Sequence, residues 1–170
     1  MAHRSQYRRR MARIACLVLC AGCLGPQPQD HVYEVTARYL GTGKCTEMGD
    51  AAVFAVPYRA LVSDDDHPGQ QGWSWCDQPD RCDESVDWFD ASGDNWIHVS
   101  AEVRNGPDNS TYCDLDYDTL VVRDTSAGVH VDLLQRLGDN GDVDSCTMEQ
   151  ARALAASDDC ANIDRYDLAR

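Results

Sequence analysis

Two groups of residues in this 170-residue chain have types and spacings that could do chemistry without help from the rest of the fold, one acidic and one aromatic. Asp139-Asn-Gly-Asp-Val-Asp144 gathers carboxylates in a turn just before an expected helix. Calcium takes roughly six to eight oxygen ligands, so Asp139, Asp142 and Asp144 are candidate calcium ligands. Counted from Asp139, the third and fifth positions of a calcium loop fall on Gly141 and Val143, and the frame with its terminal Glu is missing. The competing reading is a polar turn that leads into a helix cap. Asp114, Asp116 and Asp118 form an acidic comb along one face of a strand, and Asp64-Asp-Asp66 lies in a loop; both read as solvated surface.

The aromatic group is Trp73, Trp75, Trp88 and Trp96, with Phe89 among them. Exposed flat rings supply contact area with little entropy loss and can grip sugars or peptides. Trp73, Trp75 and Trp96 are the candidate ligand-binding residues, because Trp96 and His98 lie opposite the apolar face of their strand. The alternative is core filling, in a chain with only two phenylalanines. Catalytic groupings are not evident. His31, His67, His98 and His130 stand in unrelated contexts, and no Gly-x-Ser-x-Gly, His-x-x-x-His or His-Glu-x-x-His occurs. Paired carboxylates carry no information in a chain this acidic. The expectation is a protein that is not an enzyme.

The N-terminus reads as an export signal. Met1 to Arg13 carries five arginines and no acid, and an apolar run from Ile14 to Ala21 follows. A basic segment, a short apolar segment and small residues before a cut make a secretory signal. The run is too short for a membrane-crossing helix, which needs roughly twenty residues. Leu19-Cys20-Ala21-Gly22-Cys23 resembles the bacterial lipobox, whose usual form is Leu-Ala-Gly-Cys; Cys20 stands where Leu is typical. That resemblance implies a lipoprotein cut before Cys23, with a diacylglyceryl group of palmitate type on the thiol and a third chain on the amine. One acyl chain binds a membrane marginally, whereas two or more hold it durably. Leu24 after the cysteine suggests the outer membrane. The match of Arg8-Arg9-Arg10 to a twin-arginine signal is poor. The expected layout is a signal at 1–22, a polar proline-bearing tether at 23–30, and a single domain at 31–170.

Removing the signal takes away five positive charges, so the net charge of −14 becomes −19, with 29 acids against 10 bases. Such a surface is a poor partner for nucleic acid and repels anionic lipid headgroups. The lipid, then, would hold the chain at the membrane, and the partner expected is a protein or a glycan. Cysteine parity agrees with cleavage at Cys23: of nine cysteines, Cys45, Cys76, Cys82, Cys113, Cys146 and Cys160 remain beside the lipidated one.

The elements that must position these groups are mainly strands. His31 to Gly41 alternates, with Tyr33, Val35, Ala37 and Tyr39 on one face and Glu34, Thr36 and Arg38 on the other. Ala51 to Val62 is β-prone and bent at Pro57. Ser63 to Glu84 reads as a long loop, rich in Asp, Gly, Gln and Pro. Trp96 to Arg104 and Tyr112 to Arg123 make a hairpin around Asn105-Gly-Pro-Asp108. A strand starts near Val129, and a last one runs from Ile163 to Ala169. Thr147-Met-Glu-Gln150 is a capping box ahead of an alanine-rich helix. The fold class expected is mainly β: an antiparallel sandwich or open barrel with one short helix, stapled by disulfides.

The Tyr33-Glu-Val-Thr strand, Cys113-Asp-Leu-Asp-Tyr-Asp-Thr-Leu120, and Asp144-Ser-Cys146 followed by Cys160 resemble the small cysteine-bearing lipoproteins of myxobacteria. The resemblance implies no particular activity. It implies a framework of Cys45, Cys113, Cys146 and Cys160, with Cys76 and Cys82 a local addition. Six cysteines in an exported domain read as three bridges, and no Cys-x-x-Cys pair among these six offers a zinc knuckle. Sequence alone does not choose a pairing; the one expected is Cys76–Cys82, Cys146–Cys160 and the remaining Cys45–Cys113. The functional expectation is a membrane-anchored surface lipoprotein with a non-enzymatic binding or envelope role. A calcium-dependent ligand-binding module is the alternative, and a hydrolase the third reading.

Overall fold

The computed structural model describes residues 29–53, 56–106, 110–140 and 143–170. The signal, the cleavage site, Cys23 and all of the tether before Gln29 lie outside the described residues. Ten strands form one antiparallel sheet: β1 (His31–Lys44), β2 (Asp50–Ala51), β3 (Tyr58–Val62), β4 (Gln70–Gln78), β5 (Arg81–Cys82), β6 (Asp87–Ser92), β7 (Asn95–Asn105), β8 (Thr111–Asp124), β9 (Gly128–Asn140) and β10 (Asp159–Ala169). The order β1-β3-β4-β6-β7-β8-β9-β10 is an up-and-down meander, and β10 returns to pair with β1. Closure removes the sheet edges and makes an eight-stranded barrel, with β2 and β5 as short additions beside β1 and β4. The fold is therefore mainly β, antiparallel and disulfide-stapled, with one short α-helix.

One end of the barrel is packed shut. Tyr33, Val35, Leu61, Trp73, Phe89, Trp96, Leu120, Val129, Val131, Tyr166 and Leu168 meet in its interior. Gln71 is fully buried at this end, and its amide donates to the carbonyls of Gln29 and Val62 at 3.0 Å while its oxygen accepts from the Gln29 amide at 2.7 Å. The chain thus enters at the closed end, just ahead of β1.

The other end carries all three disulfides. Cys45–Cys160 joins the end of β1 to the start of β10, Cys113–Cys146 joins the start of β8 to the segment after β9, and Cys76–Cys82 links β4 to β5. Of the expected pairings, Cys76–Cys82 is present. Cys146–Cys160 and Cys45–Cys113 are not, and the register explains why. Gly43 lies opposite Cys160 across the closing pair of strands, while Cys113 lies opposite Asn140, from which the chain soon reaches Cys146. Proximity in sequence favoured Cys146–Cys160, but the helical segment between them separates those two positions.

The α-helix, α1 (Met148–Ala153), starts at an N-cap Thr147 whose hydroxyl accepts from the Gln150 amide, and a 3-10 turn at Leu154–Ala156 follows. It lies on the outside of the barrel, where Ala151 and Leu154 pack with Val99, Ala101, Cys113, Leu115 and Cys146. On the outer face, the buried Arg165 donates to the carbonyls of Cys45 and Glu47 and lies 3.1 Å from buried Asp132, which ties the β1–β2 loop to the wall. No helix among the described residues is long and apolar enough to cross a membrane.

Two sequence expectations about the strands are corrected. Ser63 to Glu84 is not one long loop, because it contains β4 at the centre of the barrel. Its small and polar residues hid the strand: Gly72 leaves room for Val86 and Trp88, and the Ser74 hydroxyl lies within 3.2–3.3 Å of the carbonyls of Asp83 and Ser85. In β1 the faces change over. An irregularity in pairing between Val35 and Ala37 puts Arg38 opposite Tyr166, so Tyr33, Val35 and then Arg38 and Leu40 point inward. Ala37 and Tyr39 do not share the face of Tyr33.

Candidate functional site: the open mouth of the barrel

At the disulfide-bearing end the interior is a cup of about 1160 Å³ that opens to solvent. Its lining follows from the register. His98 on β7, Asp118 on β8, Gln135 on β9 and Asn162 on β10 are cross-strand neighbours and form a polar row. The row below is Trp96, Leu120, Leu133, Asp164 and Leu40, which leads into the core. Phe89 and Asp87 from β6 complete the wall.

The β1–β10 side is a closed ionic network. Arg38 donates two bonds to Asp164, at 2.9 and 2.7 Å, and the Tyr166 hydroxyl donates to the same carboxylate at 2.6 Å. Arg59 donates to the Tyr166 hydroxyl at 2.7 Å and stacks over the Tyr166 and Trp73 rings. The hydrogen bond from Arg38 to Asp164 raises the Arg38 pKa, and burial pushes the Tyr166 phenol up to about 12. Both fix the charges of this side across the working range of a protein.

The opposite side is different. Asp118 is pushed up to about 6, first by burial and then by the nearby Asp116 carboxylate, with His98 and Arg136 acting the other way. Its Oδ1 is buried and has no hydrogen-bond partner among the described residues. Asp116 accepts from the Ser100 hydroxyl at 3.1 Å, and Asp114 lies 3.2 Å from Arg104, so these two acids have partners. His98 Nδ1 lies 3.2 Å from the Trp88 carbonyl, which accepts its N–H.

This arrangement reverses the sequence reading of the acidic comb. Asp114, Asp116 and Asp118 are half-buried on the inner side of β8, not on its solvated side. The apolar partners Cys113 and Leu115 face outward beneath α1. The signal that could have found the site was present: a period-two acid row on a strand whose other face carries Cys113, Leu115, Tyr117, Thr119 and Val121 has both faces to account for.

The tryptophan candidates do not form one patch. Trp73 and Trp96 are core residues, 3% and 2% exposed, while Trp75 is 41% exposed beyond the stretch where β6 pairs with β4. The exposure expected for Trp96 from its place opposite Ile97 and Val99 is overturned, because that side of β7 is the barrel interior. His98, two residues on, does line the cup. Of the calcium candidates, Asp142 and the side chain of Asp139 lie outside the described residues, and Asp144 is exposed on a 3-10 turn at Val143–Ser145. Comparison with protein-family models, with curated proteins and with solved structures finds no match to this chain.

Asp118 should leave a mark on stability. In the unfolded chain its carboxyl titrates near the ordinary 3.8, and in the barrel near 6. The folded state therefore favours the neutral acid, and that stabilisation is complete below the unfolded value and is lost as pH rises through about 6. The difference amounts to about 3 kcal/mol at most, at about 1.4 kcal/mol per pKa unit. Asp118→Asn should thus unfold at a higher temperature than the wild type at pH 7.5, and at nearly the same temperature at pH 4. Parallel melts at the two pH values check this, and a variant equally displaced at both would show that ionisation is not the cause.

Proposed function

We propose that this protein is a non-enzymatic binding barrel that holds a small molecule in its open mouth and is tethered to the outer membrane by lipid on Cys23. The observation that carries the reading is the cup itself, whose walls put the Asp118 carboxylate, its Oδ1 without a hydrogen-bond partner among the described residues, beside an apolar floor. Eight-stranded barrels are just wide enough to enclose one small ligand, and binding sites are concave and mainly pre-formed. The three disulfides all lie at the rim, two joining strands and one joining β8 to the segment after β9, which holds the mouth in one shape before a ligand arrives. A small molecule replaces the protein or glycan partner expected from the tryptophans, because two of those three rings are core.

The tether supports the same reading. Gln29 is bonded at the closed end, so a lipid on Cys23 would join the barrel from the side of its packed floor and leave the mouth clear of the attachment point. Intact-mass spectrometry of protein taken from membranes tests the anchor. The expected mass begins at Cys23 with acyl chains added, and reduction adds six hydrogens. A mass that begins elsewhere and carries no lipid removes the membrane from the proposal.

The cup is tested by a ligand-observed NMR screen of a chemically diverse fragment set against the full chain. Hits should be lost in Gln135→Trp, which places a large ring in the polar row without touching the core. A protein that binds nothing, or whose hits ignore that substitution, would be an envelope scaffold instead.

A further inference from the structure

The chemistry of the cup narrows what it holds. We infer that the ligand is a small organic cation, a protonated amine on an apolar body, with the amine at Asp118 and the body over Phe89 and Leu133. This rests on the reading of the cup as a ligand site.

Charge is the first argument. Asp50, Asp87, Asp118 and Asp164 line the cup, and Arg38 is the only Lys or Arg among the lining residues described. Arg38 is committed to Asp164 through two hydrogen bonds, so the lining offers an anion no free guanidinium. A carboxylate or phosphate ligand would meet uncompensated acids. The whole chain, at −14 with its signal and −19 without it, adds a long-range field that draws cations in.

Satisfaction of polar atoms is the second. Asp118 lines the cup while its Oδ1, turned away from solvent, has no hydrogen-bond partner among the described residues, so the carboxylate holds its charge with few donors, and a donor brought to its cup-facing side would ease that cost. An ammonium supplies both the donor and the charge. Phe89 and Leu133 line the same cup and give the apolar body of the ligand a surface to rest on. The third argument is against a bare metal ion: among the described residues, no group of three or more His, Cys, Asp or Glu is placed to share one.

Capture should depend on pH through the groups that face Asp118. These are Asp116 on its own strand, His98 on β7 and Asp87 on β6, with the Arg38–Asp164 pair across the cup and Arg136 acting through the wall from the outer face of β9. An amine holds the ionised carboxylate, so acidification releases it. With Asp118 half-ionised near pH 6, affinity should fall about tenfold from pH 7.5 to pH 5, because only the ionised fraction binds.

The test uses three probes of one skeleton on the full chain, 4-phenylbutylamine, 4-phenylbutan-1-ol and 4-phenylbutyrate, by titration calorimetry at pH 7.5 and pH 5. The amine is expected to bind at least tenfold more tightly than the alcohol at pH 7.5, with the carboxylate weakest. Asp118→Asn should erase the preference for the amine, and its melting temperature at pH 4, expected to match the wild type, shows that the variant is folded. A carboxylate that binds as well as the amine, or an amine preference that survives Asp118→Asn, overturns the cation assignment and leaves the cup a ligand site. Failure of all three probes to bind at millimolar concentration overturns the ligand site along with it.

Discussion

Replacing Cys45 and Cys160 together by alanine is expected to cost more stability than removing either other bridge, about 5 kcal/mol, with a fall in Tm of about 10–20 °C. The bridge spans 115 residues, against 33 for Cys113–Cys146 and 6 for Cys76–Cys82. In the chain-entropy model the constraint on the unfolded state grows with the logarithm of loop length, to about 4 and about 2 kcal/mol for the shorter two. The position matters as well. Cys45 and Cys160 sit at the seam where the last strand meets the first, and the cluster of Cys45, Cys160, Ile163 and Leu134 lies just outside that seam. Urea titrations of the three double variants check the order. If the Cys76–Cys82 variant proves the most damaged, loop length is not what sets these contributions, and local strain of the rim is the better account.

The same bridges mark how far a sequence can be read. Alternation in β7 and β8 located the hairpin to within a residue at each end, and the capping box at Thr147 located α1, because both signals are local. Pairing among six cysteines is not local: it depends on which strands return beside which, and closure of β10 onto β1 leaves no mark in either segment alone. The inner and outer faces failed for a related reason. Period-two alternation assigns the apolar side inward, yet this barrel's interior is apolar only at the closed end. Toward the mouth the inside becomes polar, and the outside is covered by α1 and the β1–β2 loop, so Asp118 and His98 went to the wrong side. The irregularity after Val35 did the same to Arg38, since one extra residue exchanges the faces of everything beyond it. Three lining residues of the candidate site were thus visible by type but not by direction.

Trp73→Ala should destabilise the barrel by about 3–5 kcal/mol, while Trp75→Ala should change stability by less than about 0.5 kcal/mol. The two rings are two residues apart on the same side of β4, so composition and spacing cannot separate them. Burial does. Trp73 is 3% exposed, lies beside Leu61 on β3, and holds Tyr166 at 5.4 Å between ring centres with the Arg59 guanidinium over its face. Its removal opens a void in a core that cannot collapse, because the strands around it are closed into a ring and stapled at the rim. It would also loosen Arg59 and Tyr166, and through them Asp164 and Arg38 on the wall of the cup. Loss of Trp73 should therefore weaken ligand capture as well as folding, although the ring itself is not among the residues that line the cup. Trp75 reaches solvent past the end of β6 and supports none of these contacts. Melting curves of the two variants, read beside their affinity for 4-phenylbutylamine, separate a packing role from a recognition role. Should Trp75→Ala abolish binding while Trp73→Ala leaves it intact, recognition lies at the rim end of β4 and not in the cup.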